Sequence, residues 1–384
     1  MQVYLDNSAT TRPHKEVIDA MIGCYETHYG NASSLHRMGI QAEKMIKDAR
    51  NSVGQSLNVS DSEIIFTSGG TESNNTAIFG AAEALKRTGN RIITSAIEHP
   101  AVLNVCKSLE QNGMDVKYLN VNDKGLIQLD ALEEYFNEKT ILISVMHVNN
   151  ELGTIQPIEE IAKYKKSCSK FYFHVDAVQS YGKMKISPKT IGIDLLSVSG
   201  HKLHGPKGIG ALFIDKSIHI PPLLYGGLQE YGIRSGTENV PGIIGLGQAA
   251  AMAYNNLETD INNIKHVRSY LIQGIKEEIK DIRINSYEDD RCIPHILNIS
   301  FMGIRGEVLL HMLEQAEIYV STGSACSSKK KGLSHVLKAA GLSNSEIEGA
   351  VRFSFSKYNS IEEMDYVLDH LKKGINSIRK IMRK

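Results

Sequence analysis

The stretch EIIFTSGGTESNN (63–75) passes from an apolar run through two glycines into a polar segment able to begin a helix. A short apolar run that ends in small residues and feeds a helix is half of a parallel βαβ unit. The same order recurs in RIITSAIEH (91–99), ILISVMHVNN (141–150), FYFHVDAVQ (171–179) and DLLSVSGHK (194–202). Each begins as an apolar strand and ends in polar or small residues. Ligands of open α/β sheets bind outside the carboxyl ends of the strands, so these endings are expected to converge on one pocket. After Asn239 the texture changes: residues 240–279 read as long helical material, and HILNISF (295–301), AVRFSF (350–355) and SIEEMDYVLDHLKKGINSIRK (360–380) continue the alternation of strand and helix. A second α/β domain is expected from about residue 258.

The chain has 384 residues, enough for two domains. Its 43 basic and 43 acidic residues cancel, so no global field recruits nucleic acid or an anionic membrane. The N-terminal MQVYLDNSATT lacks a cationic segment followed by an apolar run, and no apolar run reaches the roughly 18 residues of a membrane helix. A cytoplasmic location is expected. The cysteines at 24, 106, 168, 292 and 326 are odd in number, dispersed and free of any C-x-x-C pair, and the 14 histidines form no H-E-x-x-H pattern. Neither a disulfide framework nor a metal site is expected.

Three constellations carry chemistry. In TSGGTESNN (67–75) the backbone N–H groups around Gly70 and Thr71, at a helix N-terminus, can hold a phosphate, although alone the stretch is better read as an ordinary glycine turn with a threonine cap. In SVSGHKLHGPKGIG (197–210) Lys202 follows a buried strand among tight-turn residues. Most strand-end lysines are solvated; here the turns suggest an amine directed back into the crevice, nucleophilic once desolvated and able to join an aldehyde as a Schiff base. In FHVDAVQS (173–180) Asp176 sits in an otherwise apolar strand, where a carboxylate needs a partner. A helix cap or a loop ion pair would satisfy it, and so would the protonated ring nitrogen of pyridoxal phosphate.

With these residues in view, the chain resembles the pyridoxal-phosphate-dependent cysteine desulfurases of the class V aminotransferase superfamily. The resemblance runs nearly end to end through YLDNSATT (4–11), GNASSLH (30–36), TSGGTESNN (67–75), EHPAV (98–102), HVNNELG (147–153), HVDAVQ (174–179), SGHKLHGPKG (199–208), RSGTENV (234–240), GSAC (323–326) and VRFS (351–354). It implies the fold type I of pyridoxal-phosphate enzymes: a large cofactor-binding domain over 15–257 with a mainly parallel seven-stranded sheet, and a small α/β domain made of 1–14 and 258–384.

The resemblance also implies roles. Lys202 is the lysine that joins the cofactor's aldehyde, Asp176 the partner of its ring nitrogen, Gln179 a donor to its phenolic oxygen, and His99 the imidazole stacked on its ring. Gly70, Thr71, Ser199 and His201 match the phosphate cradle, Asn150 matches a contact to cofactor and substrate, and Arg352 matches the clamp on the substrate's α-carboxylate. Thr237 matches a phosphate contact given by the partner subunit, so a homodimer is implied.

The segment STGSACSSKKK (321–331) then acquires a task. Cys326 would attack the sulfur of L-cysteine, keep it as a persulfide while L-alanine leaves, and pass it to a sulfur-acceptor protein. Only the thiolate attacks, and an ordinary thiol with a pKa of about 8.5 is largely protonated at neutral pH. Lys329, Lys330 and Lys331 are candidates to favour the charged form, or are simply a solvated face. Ala32 and Leu228 depart from the family's usual GNPSS and GGGQE without removing a catalytic group. A selenocysteine lyase, a class V aminotransferase working without a nucleophilic cysteine, and a non-catalytic scaffold are the alternative readings.

Overall fold

In the computed structural model, residues 1–167, 170–323 and 333–382 are described. Seven strands form the large sheet: β2 (Ile64–Thr67), β3 (Arg91–Ser95), β4 (Asp115–Leu119), β5 (Thr140–Met146), β6 (Tyr172–Asp176), β7 (Leu195–Ser199) and β8 (Gly210–Ile214), after β1 (Val3–Tyr4) at the N-terminus. Their order is β2-β8-β7-β6-β5-β3-β4, and β8 runs antiparallel to both its neighbours while the remaining pairs are parallel.

Both faces of this sheet are covered, which is why its strands read as nearly unbroken apolar runs. Alternate residues supply the two faces: Ile93, Ile143, Leu196 and Phe213 belong to one core, and Ile92, Leu142, Leu195 and Leu212 to the other. The second core includes residues of the helix Gly70–Leu85 and of the helix Pro100–Gln111. A further antiparallel sheet has the order β12-β10-β9, from β9 (Ile282–Ile284), β10 (Ile296–Phe301) and β12 (Ala350–Ser354), with β11 (Ile318–Tyr319) lying between β10 and β12 in sequence. Its core takes Leu271 and Ile275 from the helix Leu257–Glu278, and Val367 and Leu371 from the helix Ile361–Met382. The helical stretch expected over 240–279 is two helices, Val240–Asn255 and Leu257–Glu278, parted at Asn256.

The N-terminus links the two sheets. β1 pairs in parallel with β11, Asp6 bridges to Ser354, and the chain then crosses to the turn that follows β7, where Thr11 N–H donates to the His201 carbonyl at 2.9 Å. No helix among the described residues is long and apolar enough to cross a membrane.

Candidate active site

The carboxyl ends of β2, β5, β6 and β7, together with the N-terminal crossing and β12, line a cavity of about 190 Å³. It collects Gly70, Thr71, His99, Asn150, Asp176, Gln179, Ser199, His201, Lys202 and Arg352, all singled out by sequence, and adds Ser8, Ala9 and Asn74, which were not.

Lys202 closes a single turn of 3-10 helix (Gly200–Lys202) directly after β7, so the strand's direction sets where the side chain points. Its Nζ donates to the carbonyl oxygens of Ser8 and Ala9, the latter at 2.8 Å. The turn is fastened from the same segment: Thr11 Oγ1 donates to the His201 carbonyl at 3.0 Å and accepts from His204 N–H at 2.8 Å. His204 adopts a positive φ of 60° there, a conformation rare for a side chain with a Cβ and tolerated here because both flanks are tied. This gives the motif YLDNSATT a structural meaning: it is a backbone cradle for the amine.

Asp176 ends β6 and is 6% exposed. Its Oδ2 accepts from Asn74 Nδ2 at 2.7 Å and its Oδ1 from Val178 N–H at 3.0 Å, so both oxygens are fixed before any cation approaches. Asn74 lies in the helix that Gly70 begins, one turn beyond the phosphate-loop residues. The three-to-four-residue helical repeat from Gly70 was the available sequence signal. A Cβ at Gly70 would meet Val178 Cγ2 at 2.7 Å, so glycine suits the close approach of the helix start to the turn after β6.

His99 caps the helix Pro100–Gln111, its Nδ1 accepting from Ala101 N–H at 3.1 Å. Burial holds its pKa below the ordinary imidazole value, opposed by Asp176 and reinforced by Lys202 and His335. A neutral ring whose Nδ1 accepts carries its proton on Nε2. Burial and the neighbouring Lys202 likewise push His201 down to about 4. Gln179 Nε2 donates to the Ser8 carbonyl at 3.0 Å, while its buried Oε1 has no partner among the described residues. The amide nitrogen carries two N–H donors, so one remains for a ligand.

Arg352, on β12, is 1% exposed. Its Nη1 donates to the Asn150 carbonyl at 2.8 Å and its Nη2 to Asp6 Oδ1 at 2.8 Å, leaving the buried Nε without a partner among the described residues. Backbone bonds of 3.1 and 2.7 Å join Arg352 to Ser321. The chain leading toward Cys326 therefore starts beside the Arg352 backbone. Cys326 and Lys329 to Lys331 lie outside the described residues. Beyond that segment Ser334 Oγ donates to Glu151 Oε2 at 2.5 Å, next to Asn150. Thr237 is exposed and does not line this cavity.

Cys24, Cys106 and Cys292 are buried, and burial raises their thiol pKa values, to about 12 for Cys106 and about 11 for Cys292. None is suited to act as a thiolate.

The model of the class V aminotransferase family matches residues 3–367. The cysteine desulfurase IscS of Dictyoglomus turgidum is 43% identical over 380 residues, covering 99% of this chain and 96% of the relative. The chain belongs to the class V aminotransferase family, among its cysteine desulfurases. A cysteine desulfurase of Trichormus azollae is 45% identical over 379 residues, covering 98% of this chain and 94% of the relative. A solved NifS-like protein superposes on this desulfurase-family chain with a TM-score of 0.92 at 41% identity, covering 98% of this chain and 100% of its own. The α/β class and the mainly parallel sheet expected from the strand endings are thus those of the family.

Proposed function

We propose that the chain is a cysteine desulfurase that binds pyridoxal phosphate, takes sulfur from L-cysteine, releases L-alanine and holds the sulfur as a persulfide on Cys326 for an acceptor protein. The observation that carries this reading is the convergence of Lys202, His99, Asp176 and Arg352 on one cavity. The residues fit the cofactor. A carboxylate with both oxygens already oriented suits a ring N–H, and the start of the helix Gly70–Leu85, which lines the cavity with Ser199 and His201, suits a phosphate. When bound, pyridoxal phosphate supplies an aldehyde for amines and an electron-withdrawing ring that acidifies the substrate's α-carbon.

The chain's own groups do the rest. Arg352 holds the α-carboxylate, its fork kept in place by Asp6 and Asn150. Lys202 Nζ, once it leaves the Ser8 and Ala9 carbonyls, is the base for the Cα proton. His99, neutral with its proton on Nε2, donates into the cavity. The Cys326 thiolate forms a bond to the substrate sulfur as the carbon–sulfur bond breaks.

In this reading residues 15–257 bind the cofactor, and residues 1–14 with 258–384 carry Arg352 and Cys326. A second copy covers the exposed apolar side chains of Leu224, Tyr225, Leu228 and Tyr231 and brings its Thr237 to this chain's phosphate site. The protein works in the cytoplasm. Its acceptor belongs to iron–sulfur cluster assembly, tRNA thiolation or another thio-cofactor pathway.

Incubation of the holoenzyme with L-cysteine and a thiol reductant yields alanine and sulfide in equal amounts without any 2-oxo acid. Turnover that demands a 2-oxo acid instead would assign an aminotransferase. In the same assay Arg352→Lys, which loses the planar fork, raises KM for L-cysteine by roughly 10- to 100-fold. An unchanged KM would remove Arg352 from substrate binding.

A further inference from the structure

The crossing Asn7–Thr11 also lines a second cavity, of about 50 Å³, bounded by Lys183, His295, His14, His204, Lys357 and Asp260 among others. Its polar groups are unevenly matched. Lys357 Nζ pairs with Asp260 Oδ2 at 3.1 Å, His14 Nδ1 meets Tyr358 Oη at 2.7 Å, and His204 Nδ1 meets the Arg12 carbonyl at 2.8 Å. Lys183 Nζ, with three N–H donors, has among the described residues a single long contact, to the Gln179 carbonyl at 3.4 Å. His295 is fully buried, and neither ring nitrogen has a partner among the described residues.

The surroundings are cationic. Lys183, Lys202, Arg352 and Arg268 are all close enough to act electrostatically on His295. The nearby carboxylates are committed, Asp260 to Lys357 and Asp6 to Arg352. An ammonium in such a place sheds its proton or acquires a counter-ion, and burial together with Lys202 pulls Lys183 down to about 7. A water molecule could join Lys183 to His295 but would leave the positive charge uncompensated. The volume suits one monatomic ion with one or two waters.

We propose that this cavity binds a small monovalent anion of the halide class, held between Lys183 Nζ and the His295 ring. The ion partly offsets the charge that Lys183 presents to Lys202, and its binding does not depend on the reaction assigned to the first cavity. The test is thermal unfolding of the holoenzyme at constant ionic strength, with bromide replacing gluconate, an anion too large to enter. Wild type gains roughly 2 to 4 °C, saturating with bromide, and Lys183→Met loses that saturable gain. Should the variant fail to fold, the wild-type crystal grown in bromide decides, with an anomalous peak between Lys183 and His295. A bromide response that Lys183→Met retains, or water alone at that position in the crystal, would overturn the proposal.

Discussion

Cys326→Ala lowers alanine release from L-cysteine by about a thousandfold or more while leaving cofactor content unchanged. The reason is the fate of sulfur. Lys202, His99 and Arg352 can bind the amino acid and move its α-proton, but the carbon–sulfur bond breaks only when something accepts the sulfur. The methyl group of alanine cannot. Cys24, Cys106 and Cys292 cannot substitute, being buried with thiol pKa values raised by desolvation. The variant keeps Lys202, His99, Asp176 and Arg352, so its visible absorbance with L-cysteine still changes. Retained turnover would favour the aminotransferase or selenocysteine lyase alternatives.

Lys202→Ala removes two functions at once, the amine that attaches the cofactor and the base for the α-proton. A general base contributes about a hundred- to ten-thousandfold, so the expected loss is at or beyond the upper end of that range. Borohydride, which fixes the cofactor to the wild-type Lys202 peptide, leaves the variant's peptide unlabelled. The fold tolerates the change: Ser8's carbonyl keeps its bond from Gln179 Nε2 at 3.0 Å, and Ala9's carbonyl alone loses its donor. The cost is about 1 to 3 kcal/mol, measurable by denaturant unfolding. Activity surviving with the variant folded would end the assignment of Lys202.

Much of this site was legible because its chemistry sits at strand ends, where apolar runs stop abruptly at Gly70, Asn150, Asp176 and Lys202. What stayed hidden was carried by groups without a local signature. The Ser8 and Ala9 acceptors are backbone carbonyls. The Arg352–Asp6 pair joins residues 346 positions apart. Asn74 is a polar residue in a polar stretch until the helix turns it toward Asp176. Strand β8, GALFI (210–214), is an apolar run like its parallel neighbours, and nothing in a single strand announces an antiparallel direction. The cavity around Lys183 and His295 could not be read locally either, since its walls come from distant parts of the chain.

The proposed reaction passes all of its sulfur through one thiol. The direct measurement is intact mass followed by peptide mapping of the holoenzyme after a short incubation with L-cysteine and no reductant. The expected result is one added sulfur on the peptide containing Cys326, removed by a thiol reductant, with one alanine formed per sulfur retained. Alanine appearing while that peptide keeps its original mass would contradict it.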